Sequence, residues 1–510
     1  MFTNTFWALI PPVIAIVLAL ITKEVYSSLF IGIAIGGLFV ANLNPVGALD
    51  TIVNDGFITG ISDNAGIFLF LVILGIMVAL VNAAGGSAAF GRWAKKNIKT
   101  RVGVQIASFI LGVLIFIDDY FNCLTVGSVM RPVTDTHRVS RQKLAYLIDA
   151  TAAPVCMIAP ISSWAAAFNS TASNLGSGMT GSELFVRAIP YNFYSLLTFV
   201  FIIAIILMKF DYGSMRVYED RSLSTGDLGG LAGTEDDEEE ANPRGRIIDL
   251  VLPVVVLIIT CTLAMVKVGG FFGVDASGDT SCKGDIVAAF ANTDPFIALP
   301  WGGLITLIFT VIYMLCRRLI SFKNAMECVK TGFIAMIPAI LILTMSVTLK
   351  NLTTLLGARE FVAGLMEGAA QSLYLLLPAV IFIVACVLSF ATGTSWLTFG
   401  ILIPIVTAIF PSGSELLVIG ISACCAGAVC GDHCSPISDT TIMASAGAQC
   451  EHITHVSTQL PYAITVALIS LVTYIIAGVI QSAWISLLIG TALTVGTLFV
   501  IRTINAKKQA

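Results

Sequence analysis

The fold is decided by FIDDYFNCLTVG at 116–127, a polar stretch inside an otherwise apolar region. The apolar leg before it, 102–117, would be about 24 Å long as a helix, shorter than the ~30 Å hydrocarbon core of a bilayer. Basic residues flank the region at 99–101 and 131–143, and such residues favour the cytoplasmic side. We therefore predict a re-entrant hairpin that enters and leaves the membrane from the cytoplasm, with Asp118 and Asp119 at its tip.

The chain contains a second copy of this stretch. SFATGTSWLTFG at 389–400 aligns with 116–127, and the two share Leu-Thr-x-Gly. Two further motifs recur in the same order and at similar spacing, which indicates an internal repeat. They are Pro-Ile-Ser at 160–162 and 436–438, and Pro-Tyr at 190–191 and 461–462.

The composition places the protein in a membrane. The 510 residues include 27 Lys and Arg and 31 Asp and Glu, so charged side chains make up 11% of the chain, against roughly 25% in soluble proteins. This scarcity excludes a soluble enzyme, and the absence of a basic excess excludes a nucleic-acid partner. We predict an all-α polytopic membrane protein. Its apolar stretches lie near 5–22, 25–42, 64–84, 190–209, 247–268, 299–316, 331–349, 461–481 and 484–501.

The repeat and the basic residues together predict an inverted topology. Each copy has three helices, a hairpin, a broken helix and a full helix; the first copy begins outside and the second inside, so the N-terminus is predicted outside and the C-terminus inside. Secondary transporters have this architecture and bind substrate at the repeat interface. The first inverted repeat is predicted at 1–209, with hairpin 102–133 and broken helix 144–170, and the second at 247–482, with hairpin 372–410 and broken helix 414–450. A solvated, disordered acidic cytoplasmic linker at 210–246 joins them, and an extra C-terminal helix with its tail follows at 483–510.

The candidate binding residues lie at the four predicted breaks. Unpaired backbone at membrane depth is tolerated only where it lines a cavity or is packed in protein, and these breaks are rich in oxygen ligands. The candidates are Asp118, Asp119, Asn122, Thr125, Ser162, Ser163, Thr392, Thr394, Ser395, Asp432, His433, Ser435, Ser438, Asp439 and Thr440. Those predicted to hold Na⁺ are among Asp118, Asp119, Asn122, Ser162, Thr394, Ser395, Asp432 and Ser438.

Carboxylates at these breaks suit cation exchange. An ionisable side chain at membrane depth costs at least about 2.5 kcal/mol, so it is a functional candidate. A hard cation such as Na⁺ prefers carboxylate, hydroxyl and carbonyl oxygens, and a carboxylate can hold either Na⁺ or a proton. Other roles stay open: Asp118 and Asp119 could be ordinary tip residues, and Asp432 or Asp439 could cap a helix.

Four polar residues have two interpretations each. Asp149, in YLIDATAAP, could form a structural hydrogen bond or relay a proton. His433 lies in CGDHC at 430–434, which superficially resembles a soft metal site, but no second Cys/His pair at metal spacing is evident, so we favour pairing with Asp432 or the opposite hairpin. His452 and His455 lie at a predicted cytoplasmic end and read as surface residues or a pH sensor.

These segments resemble the NhaC family of sodium/proton antiporters, within the wider ion transporter superfamily. The matching motifs are FIDDYFN at 116–122, ATGTSWLTFGILIP at 391–404, GDHCSPISDTTIMAS at 431–445 and HVSTQLPYA at 455–463. The resemblance implies two hairpins, ion sites at their tips and at the helix breaks, and a homodimer that moves its transport domain like an elevator. It also implies Na⁺/H⁺ exchange or, as in some members, exchange of small carboxylates such as malate and lactate coupled to H⁺ and Na⁺.

The predicted function is therefore a bacterial inner-membrane antiporter that exchanges Na⁺, with Li⁺ as a second candidate, for H⁺ by alternating access. No cofactor is predicted beyond these ions. The main alternative is a Na⁺- or H⁺-coupled carrier of a small organic anion or an amino acid. An intramembrane enzyme has less support, because Asp432 and His433 are adjacent on a helix and adjacent residues point apart.

Overall fold

The computed structural model describes residues 2–22, 24–116, 119–159, 162, 164, 168, 181–231, 242–274, 280, 282–358, 360–361 and 374–507. Helices joined by turns and loops make up this described part, which has no strand beyond an isolated β-bridge between Gly230 and Cys450. The helices of the first half are α1 (Ile10–Thr22), α2 (Val25–Val40), α3 (Pro45–Thr51), α4 (Thr59–Ala83), α5 (Gly86–Asn97), α6 (Arg101–Leu114), α7 (Asp119–Thr136), α8 (Arg141–Cys156), α9 (Gly181–Ala188), α10 (Phe193–Met208) and α11 (Gly213–Ser224). Those of the second half are α12 (Ile248–Val268), α13 (Ile286–Ala291), α14 (Pro295–Cys316), α15 (Phe322–Leu355), α16 (Leu377–Thr392), α17 (Ser395–Ile409), α18 (Glu415–Cys434), α19 (Asp439–Ala448), α20 (His452–Ile480) and α21 (Ala483–Lys507).

The predicted class, an all-α polytopic membrane protein, is confirmed. Seven helices of the described part are long and apolar enough to cross a membrane, or eight if the two halves of α15, bent by 41°, count as one span. Several of these helices expose large apolar side chains, for example Leu69, Ile259 and Leu468, which suits contact with lipid tails. By contrast, the apolar window of α18 is completely buried. The protein therefore keeps α18 in its interior.

Each predicted hairpin consists of two helices that contact each other across a short break. In the first, the Asn122 side-chain amide on α7 donates to the carbonyls of Gly112 and Ile115, at 2.7 and 2.8 Å, and so ties the two helices together. In the second, Gly393 ends α16 with a φ of +64°, a conformation that favours glycine. A Cβ at Gly393 would also lie only 2.5 Å from the Ile437 carbonyl. Their entry from the cytoplasm stays a prediction.

Two contacts between the halves are related by the repeat alignment. On the second arm of the first hairpin, the Cys123 thiol lies 3.7 Å from the Thr440 carbonyl at the start of α19. On the second arm of the other hairpin, the Trp396 ring lies 4.9 Å from that of Trp164. Position 123 aligns with 396, and 164 with 440. Each hairpin therefore packs against the segment that follows the helix break of the other half.

The linker 210–246 differs from the prediction, because part of it is an ordered helix. Glu219 of α11 is buried, accepts a hydrogen bond from the Ser140 backbone amide at 2.8 Å and forms an ion pair with Arg101. Ser214 donates to the Ser457 carbonyl of α20. These tertiary contacts order a polar segment whose composition suggested a solvated chain. The acidic run at 235–240 lies outside the described residues.

Candidate functional site

The site is built around Asp432, near the end of α18. Its carboxylate is buried, with 1% of the residue exposed. The hydroxyl of Ser395, the first residue of α17, donates to Asp432 Oδ2 at 3.0 Å and also lies 3.1 Å from the Ala428 carbonyl. The hydroxyl of Thr440, in the first turn of α19, lies 3.4 Å from the same Oδ2. Two hydroxyls from two separate helices therefore converge on one buried carboxylate.

The break between α18 and α19 is closed by Ser438. Its hydroxyl caps α19 by accepting from the Thr441 backbone amide at 3.3 Å, and it lies 3.2 Å from the Thr440 hydroxyl. Capping was the alternative role considered for Asp432 and Asp439. A capping carboxylate would lie at the N-terminus of a helix. Asp432 instead lies in the last turn of α18, at its C-terminal end. Because helix C-termini attract cations, this position suits a cation site.

Asp439 begins α19 and faces the first hairpin. The Tyr120 hydroxyl of α7 donates to Asp439 Oδ2 at 2.7 Å, and Oδ1 accepts from the Thr440 backbone amide at 2.9 Å. Asp439 also lines a cavity of about 230 Å³. The other polar and aromatic residues around this cavity include Asn64, Tyr120, Ser346, Lys350, Thr392, Thr394 and Trp396. The cavity therefore holds three predicted residues of the second half, Thr392, Thr394 and Asp439, and none of those predicted for the first half that the structure describes.

The predicted residues of the first half that the structure describes lie on α7 and shortly after the end of α8. Asp119, Asn122 and Thr125 are all buried on α7. Asn122 Oδ1 and the Thr125 hydroxyl have no hydrogen-bond partner in the described part of the chain, and no hydrogen bond there joins Asn122 to Asp432. The Ser162 hydroxyl donates to the carbonyls of Cys156 and Ala159 and so closes the end of α8. Asp118 and Ser163 lie outside the described residues.

Three other predicted residues support the breaks. The Thr392 hydroxyl donates to the Leu388 carbonyl within α16. The Ser435 hydroxyl donates to the Phe390 carbonyl at 2.9 Å and thereby joins the α18–α19 break to the end of α16. His433 is buried, and its Nδ1 lies 3.2 Å from the Tyr194 hydroxyl of α10 rather than on Asp432. These contacts position the backbone around Asp432.

A further buried carboxylate was not among the predicted site residues. Asp149, in the middle of α8, is fully buried and accepts hydrogen bonds from Thr441 at 3.0 Å and Gln459 at 2.6 Å. His455 Nε2 lies 3.5 Å from the same Asp149 oxygen. His452 and His455 are both buried, so their interpretation as surface residues was wrong. The polar run HVSTQ at 455–459, at the start of an apolar helix, was the available signal.

Comparison with known proteins identifies the family. A protein of Haemophilus influenzae described as an uncharacterized protein is 36% identical over 512 residues, which cover 98% of this chain and 95% of that protein. Two solved transporters are also similar. YdaH of Alcanivorax borkumensis is 13% identical, with 82% of this chain and 86% of that chain covered and a TM-score of 0.33. MtrF of Neisseria gonorrhoeae is 12% identical, with 84% of each chain covered and a TM-score of 0.31. Scores this low do not assign a shared fold. A model of the Na⁺/H⁺ antiporter family matches residues 155–479, and the chain therefore belongs to that family.

Proposed function

We propose that this protein is a secondary antiporter of the bacterial inner membrane that exports Na⁺, with Li⁺ as a second candidate cation, in exchange for H⁺. The observation that carries the proposal is Asp432, a buried carboxylate that receives the Ser395 and Thr440 hydroxyls beside a helix break. Membership of the Na⁺/H⁺ antiporter family supports it.

The exchange follows from the cost of burying charge. An unpaired carboxylate in a low-dielectric interior is strongly disfavoured, so Asp432 must be neutralised whenever its surroundings exclude water. Either Na⁺ or a proton can neutralise it, but they compete for the same oxygens. The hydroxyls of Ser395 and Thr440 can donate to the carboxylate and can offer lone pairs to a bound cation. Each passage of the site across the membrane therefore carries one ion or the other.

Alternating access would move the hairpins and broken helices as one body. Helices α16, α17 and α18 contact one another, and α19 packs on both α7 and α8. These contacts join the site residues into a single unit that could slide against the flanking helices, as in an elevator mechanism within a homodimer. Gly127 and Gly447 permit the close approach of α7 and α19, because a Cβ on either would lie about 2.6 Å from backbone atoms of the other helix.

The test is transport by the purified full-length protein in proteoliposomes. We expect Na⁺ addition to drive proton movement in the absence of any organic solute, with the opposite direction of flux when the Na⁺ gradient is reversed. A pH-sensitive dye inside the vesicles measures this flux. Vesicles without protein, and vesicles given K⁺ instead of Na⁺, are the controls. Proton movement that requires an added organic acid would contradict the proposal.

A second candidate function is coupled transport of a small carboxylate or an amino acid. The observation that favours it is the cavity of about 230 Å³, which is larger than a Na⁺ site needs and is lined by both Lys350 and Asp439. A lysine ammonium attracts a carboxylate, and an aspartate attracts the ammonium group of an amino acid. The Thr392 and Thr394 region at the end of α16 adds further polar groups to the same wall.

Substitution of Lys350 separates the two candidates. We expect Lys350→Gln to leave Na⁺-dependent proton flux within about threefold of the wild type. The reason is that Na⁺ exchange at Asp432 does not require the positive charge of Lys350. Flux is measured in proteoliposomes without organic solute, beside Lys330→Gln as a control on an exposed lysine. If the wild type needs an organic acid and Lys350→Gln abolishes that transport, the carrier function is favoured instead.

A further inference from the structure

The cluster around Asp149 has the composition of a proton site. Asp149 on α8 and His455 on α20 are both fully buried, and His455 Nε2 lies 3.5 Å from Asp149 Oδ2. A buried aspartate and histidine can share one proton. The pair is then neutral overall with the proton bound, and carries one negative charge without it.

The hydrogen bonds of the cluster are incomplete. Asp149 Oδ1, Gln459 Oε1 and both ring nitrogens of His455 are buried and have no hydrogen-bond partner in the part of the chain that the structure describes. Buried polar atoms of a purely structural cluster are normally satisfied, because leaving one unpaired costs about 1–3 kcal/mol. The unpaired Asp149 oxygen and His455 nitrogens are atoms on which a proton can reside.

Two short links join Asp149 to Asp432. The Gln459 amide nitrogen that donates to Asp149 also donates to the His433 carbonyl at 2.8 Å, one residue from Asp432. Thr441, which donates to Asp149, is adjacent to Thr440, which contacts Asp432. A change in the charge of Asp149 can therefore act on both sides of the break next to Asp432, the end of α18 and the start of α19.

Other titratable groups surround the pair. From α18, Asp432, His433 and Cys434 lie within electrostatic range of Asp149, and His452 does so from α20. From α10, the Tyr194 hydroxyl contacts His433. The helix α19 presents the Thr441 hydroxyl, and α6 approaches α8 with Gly112 beside Thr151.

We propose that Asp149 and His455 form a second proton site, which competes through charge with Na⁺ at Asp432. This inference rests on the proposed exchange. Without its proton the pair is negative and strengthens Na⁺ binding nearby; with the proton it is neutral and weakens Na⁺ binding. The pair takes its proton from the side on which Na⁺ is released and gives it up on the side from which Na⁺ is taken. Na⁺ and protons therefore oppose each other at two sites.

The test is the pH dependence of Na⁺ affinity. Titration calorimetry of the purified full-length protein with NaCl, over a series of pH values, gives the slope of log Kd against pH. Each competing proton adds up to about one unit to this slope, a tenfold change in Kd per pH unit. We expect Asp149→Asn to reduce the wild-type slope by up to about one unit while Na⁺ still binds, and His455→Gln to reduce it in the same direction. Thr151→Ser, on the same helix but outside the cluster, keeps the wild-type slope.

A melting curve accompanies each variant, and His455→Gln carries the test if Asp149→Asn does not fold. Wild-type slopes in both variants overturn the second proton site. Loss of Na⁺ binding at every pH in folded variants also overturns it, since the cluster would then be a Na⁺ ligand or a support of the site. A wild type that binds no Na⁺ overturns the proposed exchange itself, and the second proton site with it.

Discussion

Asp432→Asn is expected to lower Na⁺-dependent proton flux at least about 30-fold, because removing one partner of a buried charge pair costs some 2–5 kcal/mol. An asparagine amide keeps the shape of the side chain and can still contact Ser395, but it neither attracts Na⁺ by charge nor binds a proton. The measurement is the initial rate of proton flux in proteoliposomes that contain equal amounts of wild-type and variant protein.

The matched control for this variant is Asp63→Asn, which alters an exposed aspartate on α4 and should transport like the wild type. Equal elution on size-exclusion chromatography shows that Asp432→Asn is folded. A folded Asp432→Asn protein that transports at near-normal rate would remove Asp432 from the mechanism. Asp119→Asn, tested beside it, reports whether the buried carboxylate of the first hairpin contributes as well.

The second large effect is expected on stability, from Asp211→Ala. Lys143 of α8 is buried, with 1% of its side chain exposed, and its Nζ lies 2.5 Å from Asp211 Oδ1. The Tyr462 hydroxyl donates to the same oxygen at 2.5 Å. Removing the carboxylate leaves a buried ammonium without its counter-charge, which typically costs 3–5 kcal/mol, and we expect about 3 kcal/mol. The lower figure reflects the rings of Tyr146 and Tyr462, which lie 5.7 and 5.1 Å from Nζ and compensate in part.

The free energy of unfolding is measured by SDS titration of the protein in detergent micelles. The control is Asp220→Ala, which removes an ion pair with Arg216 on α11 in which the aspartate is 64% exposed. Exposed pairs of this kind contribute at most about 1 kcal/mol, so the control should unfold nearly as the wild type does. Equal stability of the two variants would show that Lys143 does not depend on Asp211.

The helix breaks could be predicted from the sequence because their signals are local. Gly393 and the hydroxyl-rich residues after it interrupt an apolar run, and the repeat alignment marks the corresponding stretch at 116–127. The pairing of Ser395 with Asp432 joins two segments that were each predicted as breaks. The sequence could not indicate which of the oxygen ligands lie close together in space. Asn122 and Asp432 were therefore both predicted as Na⁺ ligands, although the Asn122 amide bonds only within its own hairpin in the described part of the chain.

The Asp149 cluster and α11 could not be predicted for the opposite reason. Thr441 and Gln459 lie 292 and 310 residues from Asp149 along the chain, and nothing local in any of the three segments indicates their contact. Helix α11 is polar, and its Glu219 contacts Arg101 and the Ser140 amide, which precede Glu219 by 118 and 79 residues. These contacts order the helix. Contacts of this range depend on how the repeats pack, which a single sequence does not encode in any local pattern.

The central claim is that Na⁺ and H⁺ compete for one buried carboxylate, and proton release measures this directly. Wild-type protein in detergent, in weakly buffered solution without organic solutes, receives NaCl or, as a control for ionic strength, choline chloride. We predict that NaCl acidifies the solution in a saturable way, that choline chloride does not, and that Asp432→Asn releases far fewer protons than the wild type. An equal response of wild type and Asp432→Asn, or release that appears only after a small carboxylate is added, would contradict the account.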